Sequence, residues 1–301
     1  MQICVAATPN VALPTLDYLK DSKHNLASII TQPDKPAGRG QSSQETPVSV
    51  WSRENGIPCI KPANLSETLH TLENIELLIT IGYGVILPLE VISKPIYGSI
   101  NLHFSLLPRW RGAAPVQRAI EAGDSLSGVT VFALDEGMDT GPVFVQKRFA
   151  LDGDITSDEL LSELSELGVE ALAETLDMIE LGVKPIPQSN DGATRAHKIS
   201  KDEVQIDWHQ SAEVISRKIR SLTSNPGSRT HFREKSIKVF APTYTDISLP
   251  PGELRVEGNS LLVGTSTFAL RIEQVQPSGK PKMATAAWIN GIRLNSGEKF
   301  E

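Results

Sequence analysis

Apolar and polar positions along the first three-fifths of the chain alternate between two rhythms. Residues 2–7, 26–31, 77–81, 99–103, 129–134 and 143–149 are short strand-like runs. Leu13, Leu16 and Leu19, and then residues 116–122, carry apolar side chains at helical spacing between those runs. From 157 to 181 leucines and alanines keep the same spacing, with Thr156 placed to cap the helix start. Strands alternating with helices predict an α/β fold, a Rossmann-like, mostly parallel twisted sheet with helices on both faces and right-handed crossovers.

The rhythm stops at Gly182. The stretch that follows, Val-Lys-Pro-Ile-Pro-Gln-Ser-Asn-Asp-Gly192, has the proline, glycine and small polar content of a connection, and a linker is expected at 183–206. Beyond it come one helical pattern at 212–222 and short β-like runs at 229–232, 237–240, 261–264 and 268–275. Short strands of this kind within about a hundred residues predict a small, OB-like β-barrel. The expected organisation is therefore a domain over 1–182, the linker, and a second domain over 207–301.

Composition adds limits to this picture. A chain of 301 residues with 40% hydrophobic content can fill two ordinary cores. No segment approaches eighteen consecutive apolar residues, and no basic leader precedes the first strand, so a cytoplasmic protein is expected. Cys4 and Cys59 have no metal-ligand spacing and read as packing residues; no metal site is expected. With no interface signal, the expectation is a monomer. The first βα turn, Ala6-Ala-Thr-Pro-Asn-Val11, lacks the Gly-x-Gly-x-x-Gly that lets backbone approach a pyrophosphate, which argues against a dinucleotide enzyme.

Net charge is −7, yet it is unevenly spread: residues 1–200 hold 15 Lys and Arg against 25 Asp and Glu, while 201–301 hold 14 against 11. A basic module beside an acidic domain can engage a phosphate backbone, because binding depends on where cations cluster.

The candidate chemistry lies in Tyr97-Gly-Ser-Ile-Asn101-Leu-His103. Period-two alternation puts Asn101 and His103 on one strand face, about 6.6 Å apart, at the carboxyl end where open α/β sheets bind ligands. Downstream, Asp135-Glu-Gly-Met-Asp139-Thr-Gly141 adds a carboxylate. An Asn N–H can hold a developing oxyanion, a His can carry a proton, and an Asp can orient that His. Taken singly, Asn101 and His103 fit a satisfied polar pair and Asp139 a turn carboxylate. Their coincidence in one string favours acyl transfer.

The whole string from Asn101-Leu-His-Phe-Ser-Leu-Leu-Pro-Arg-Trp-Arg-Gly-Ala-Ala-Pro115 to Ile120 resembles the signature of the folate-dependent formyltransferases, most of all their methionyl-tRNA branch. Residues 7–14, Gln32-Pro-Asp-Lys-Pro-Ala-Gly-Arg-Gly40 and 198–208 are similar to the same branch, although Ala7 stands where that family commonly has glycine. The resemblance covers nearly the whole chain. It implies Asn101, His103 and Asp139 as catalytic residues, and 10-formyltetrahydrofolate as formyl donor. It also implies Tyr83, Gly84, Val85 and Ile86, with Ser105, Leu106, Leu107 and Pro108, as the donor's binding residues. The acceptor it implies is the free amino group of methionyl-initiator-tRNA, with Lys35 and Arg39 reaching the RNA and the C-terminal domain binding it. Residues 41–46 are charge-poor where relatives often carry more Lys or Arg, and the Glu45 carboxylate is unfavourable near phosphate. The same triad also suits a family member acting on an amino-sugar nucleotide or glycinamide ribonucleotide, and an inactive RNA-binding protein is the reading from another class.

Overall fold

The computed structural model describes residues 1–37 and 42–301. Two compact units emerge: Met1–Pro115 with Leu126–Ala150 and Leu161–Ala196, and Val116–Ser125 with Leu151–Leu160 and His197–Glu301.

In chain order the first unit contains β1 (Gln2–Ala7), α1 (Leu13–Asp21), β2 (Asn25–Ile30), β3 (Lys35–Ala37), β4 (Ser42–Gln44), α2 (Pro47–Asn55), β5 (Cys59–Ile60), α3 (Leu65–Thr71), β6 (Leu77–Ile81), α4 (Leu89–Ile92), β7 (Ser99–His103) and β8 (Arg111–Gly112). It continues, past α5 (Pro115–Ala122), with β9 (Leu126–Ala133), β10 (Val143–Ala150), α6 (Ser157–Glu180) and β11 (Arg195–Ala196). Seven strands form one sheet in the order β10-β9-β7-β6-β1-β2-β5. From β7 to β5 neighbours run parallel, whereas β9 and β10 are antiparallel. This is the Rossmann-like, mostly parallel sheet with helices on both faces that the strand and helix rhythm predicts.

β1 and β6 are apolar on both faces because both faces are covered: every residue of β6 is buried, and so are all of β1 except Gln2. Burying each Leu or Ile fully contributes about 1.5–3 kcal/mol. The order reverses around β1, which has β2 on one side and β6 on the other, and the carboxyl ends of strands at such a reversal are where open α/β sheets bind ligands. Short helices that the apolar rhythm does not reveal are fixed by their ends. Thr46 caps α2 by accepting the Ser49 N–H, with Pro47 at the first turn and Gly56 left-handed at the end. Asn64 caps α3 by accepting the Glu67 N–H, and the Glu67 carboxylate reaches back to accept the Ala63 N–H.

The second unit carries α7 (Ala212–Ser221), β12 (Arg229–Phe232), β13 (Lys235–Tyr244), β14 (Leu254–Glu257), β15 (Ser260–Val263), β16 (Leu270–Pro277), β17 (Met283–Ala284) and α8 (Thr285–Ile292). Its strands form an antiparallel, OB-like sheet in the order β12-β13-β16-β15-β14, with β17 beside β16. Trp208, Ile215, Ile219, Val239, Leu261, Trp288 and Phe300 fill its core, and the Trp208 indole N–H donates to Thr230 Oγ1 at 2.9 Å. Thr156 caps the start of α6 as its sequence suggests, exchanging bonds with Glu159. β14 and much of β13 lie outside the runs expected from sequence, because their solvent-facing polar residues dilute the apolar signal.

Candidate active site

β7 ends in the sheet's interior, and its register pairs Asn101 with Thr80 of β6 and with Phe132 of β9. The Thr80 hydroxyl donates to Asn101 Oδ1 at 2.7 Å. That bond orients the amide, and Asn101 Nδ2 has no hydrogen-bond partner among the described residues. A donor held this way is ready for an incoming carbonyl oxygen.

His103 is 6% exposed, edge-on to Phe132 at 6.5 Å between centroids. Its Nε2 lies 2.9 Å from the Trp110 backbone oxygen. A carbonyl only accepts, so Nε2 carries the hydrogen and Nδ1 is left facing Asp139. Nδ1 stands 3.7 Å from Asp139 Oδ2, an ion-pair separation longer than a hydrogen bond.

Asp139 is 16% exposed and left-handed, at φ +55°. Its Oδ2 accepts the Gly112 N–H at 2.7 Å, so the carboxylate is anchored by the loop that follows β7. Asp135 shapes the preceding turn, accepting from the Gly137 N–H at 3.0 Å and the Thr140 hydroxyl at 2.8 Å. Gly112 itself is irreplaceable on steric grounds: φ is +127°, and a Cβ there would meet the Ala196 oxygen at 2.6 Å. The structure thus brings Asn101, His103 and Asp139 to one end of β7.

The expected donor-binding residues fall into two groups. After β6, Tyr83 is half-buried and its carbonyl accepts from the Thr8 hydroxyl and the Gln32 amide at 3.2 and 3.1 Å. Burial pushes the Tyr83 phenol up from its ordinary value. Gly84 is left-handed, and Val85 and Ile86 expose apolar surface, 49% and 78%. An apolar loop of this kind suits a flat heteroaromatic ring.

After β7, Ser105 is buried and spends its hydroxyl on the Arg109 oxygen at 2.7 Å. Leu107 is also buried; its N–H goes to Thr130 Oγ1 and its carbonyl accepts from Gln146. Leu106 and Pro108 are the members of that group with surface left, so the backbone course is held from inside. Lys35 starts β3, and Arg39 lies outside the described residues.

Residue-type reasoning along the chain missed Thr80, Thr130, Gln146, Gln188 and Thr194. Thr80 and Thr130 had a faint signal, each a lone polar residue in an apolar strand. Gln188 had none, since the carbonyl it holds at Asp139 is 49 residues away in sequence.

Residues 1–176 match the family model described as formyl transferase, and 198–293 match that of the formyl transferase C-terminal domain. The methionyl-tRNA formyltransferase of Rhodococcus erythropolis is 39% identical over 98% of both chains. The chain belongs to the methionyl-tRNA formyltransferase family. Among solved structures, the methionyl-tRNA formyltransferase of Clostridium thermocellum shares the fold at 18% identity, with a TM-score of 0.59 over 90% of this chain and 98% of that one. HypX of Aquifex aeolicus, solved in complex with tetrahydrofolic acid, aligns with a TM-score of 0.69 and 18% identity over 99% of this chain, which spans 48% of that longer protein. The chain is thus an enzyme of the transferase class, and no helix among its described residues is long and apolar enough to cross a membrane.

Proposed function

We propose that this enzyme moves a formyl group from 10-formyltetrahydrofolate to the α-amino group of methionine on initiator tRNA. The carrying observation is the juxtaposition at the end of β7: an Asn101 amide oriented by Thr80, beside a buried His103 whose Nδ1 faces Asp139.

The donor supplies an activated formyl group, and the attacking amine must be neutral. Asn101 Nδ2 donates to the formyl oxygen as that atom gains charge; one such donor typically lowers the barrier by about 3–4 kcal/mol. His103, tethered by Trp110 at Nε2, exchanges the amine's proton at Nδ1. Asp139, 3.7 Å from Nδ1, fixes the imidazole's orientation. The new bond forms to the methionine nitrogen while the bond to the donor nitrogen breaks, and that nitrogen takes up the proton.

Val85, Ile86 and the backbone of 83–86 would line the donor's ring, with Leu106 and Pro108 beside the reacting end. The second domain, 207–301, together with Lys35 and Arg39, would hold the RNA. A cytoplasmic monomer fits this role.

Parallel assays with 10-formyltetrahydrofolate test the reading. Methionyl-initiator-tRNA, glycinamide ribonucleotide and an amino-sugar nucleotide are offered as acceptors. Formylation of the tRNA alone is expected; transfer to a small amine would reassign the acceptor, and no transfer at all would leave an RNA-binding protein.

A further inference from the structure

Residues 183–196 lie between the two family matches and have the composition of a connection, yet they are tied to both halves of the candidate pair. Ile186 exchanges backbone hydrogen bonds with Val143 at 2.7 and 2.8 Å. The Thr194 hydroxyl accepts the Trp110 N–H at 2.9 Å, and Trp110 is the residue whose carbonyl holds His103. β11 runs parallel to β8, with the Ala113 N–H donating to the Ala196 oxygen at 2.9 Å.

Gln188 makes the tie to the carboxylate. Its Nε2 donates to the backbone oxygens of Gly141 at 2.6 Å and of Asp139 at 3.1 Å. Its Oε1 accepts from Arg111 Nη2 at 2.9 Å and Nε at 3.3 Å, and Arg111 Nη1 is held in turn by Asn190 at 3.2 Å. The Arg111 fork therefore decides which end of the Gln188 amide meets the carbonyls.

We infer that Gln188 is a positioning residue for formyl transfer: by gripping the main chain at Asp139 and Gly141 it sets the Asp139 carboxylate against His103. A non-glycine residue at φ +55° persists only where its surroundings hold it. Here one side chain holds the carbonyl of that residue and the carbonyl two residues on. The connection is thereby part of the catalytic site, supplying Gln188 beneath Asp139 and Thr194 behind Trp110. This inference rests on His103 and Asp139 being the reacting pair.

The test uses the full-length enzyme and Gln188→Met, which keeps the side chain's length and removes both donors. The expected kcat falls about 10- to 100-fold, the cost of a small misplacement at the chemistry, with the acceptor KM within about twofold. In an Asp139→Asn background the same substitution should cost less than about threefold more, because residues acting as a unit are not additive. Gln188→Glu, which keeps the Arg111 contact but opposes a carboxylate to the two carbonyls, carries the same expectation should the first variant fold poorly. Wild-type kcat, a loss confined to KM, or a fully additive loss in the Asp139→Asn background would each overturn the assignment. Wild-type kcat in Asp139→Asn itself would instead remove the pair on which it rests.

Discussion

Thr80 donates its hydroxyl to Asn101 Oδ1 at 2.7 Å, so a buried threonine in one strand decides which end of a neighbouring strand's amide is free to donate. Thr80→Val keeps the shape and removes that bond, letting the amide rotate. The expected result is a kcat lowered about 10-fold, equivalent to about 1.4 kcal/mol of barrier, with unchanged acceptor KM. Steady-state kinetics on the two proteins decide it.

Asn101→Ala removes the donor itself. It should lower kcat by about 10²- to 10³-fold, since the interaction is made chiefly as charge develops on the formyl oxygen. The equilibrium affinity for methionyl-tRNA, measured by filter binding, should stay near wild type; a matching loss of affinity would move Asn101 from catalysis to substrate binding.

Gly112→Ala should damage the site more than its size suggests. The new methyl would sit 2.6 Å from the Ala196 oxygen at a φ of +127°, and the Gly112 N–H is the anchor of Asp139. Thermal melting should fall by several degrees, on the order of 1–3 kcal/mol of backbone strain, and kcat should fall with it.

Glu203 contributes to the acid sensitivity of the second unit. The Ser200 backbone N–H, then the Arg118 guanidinium, hold its carboxyl down to about 2 from 4.5. A lowered folded value means that its stabilisation is complete above 4.5 and is lost as pH falls towards 2. Glu203→Gln should therefore melt about 1–3 °C lower at pH 7, a modest figure because the carboxylate is partly exposed, and the gap should narrow below pH 4.5. Melting curves of both proteins across that range measure it.

Neither cysteine should react as a native-state thiol. Burial pushes Cys4 up to about 12, and burial also raises half-buried Cys59. A thiol titration with an aromatic disulfide at pH 7 should be slow in the folded enzyme and rapid for two thiols in denaturant.

The sequence by itself determined the alternation of strand and helix, the strand that carries Asn101 and His103, and the family to which the chain belongs. These are legible because apolar period, glycine and proline placement, and a long contiguous motif are local properties of a chain. Residues 183–206 read locally as a connection, since proline, glycine and small polar residues look the same whether they run through solvent or against a site. Only the tertiary structure brought Gln188 under Asp139, Thr194 behind Trp110 and Thr80 beside Asn101. Each of these is a hydrogen bond between residues 21 to 84 positions apart. Their pairing is fixed by sheet register and by the close approach at Gly112, and neither leaves a periodic mark in the sequence.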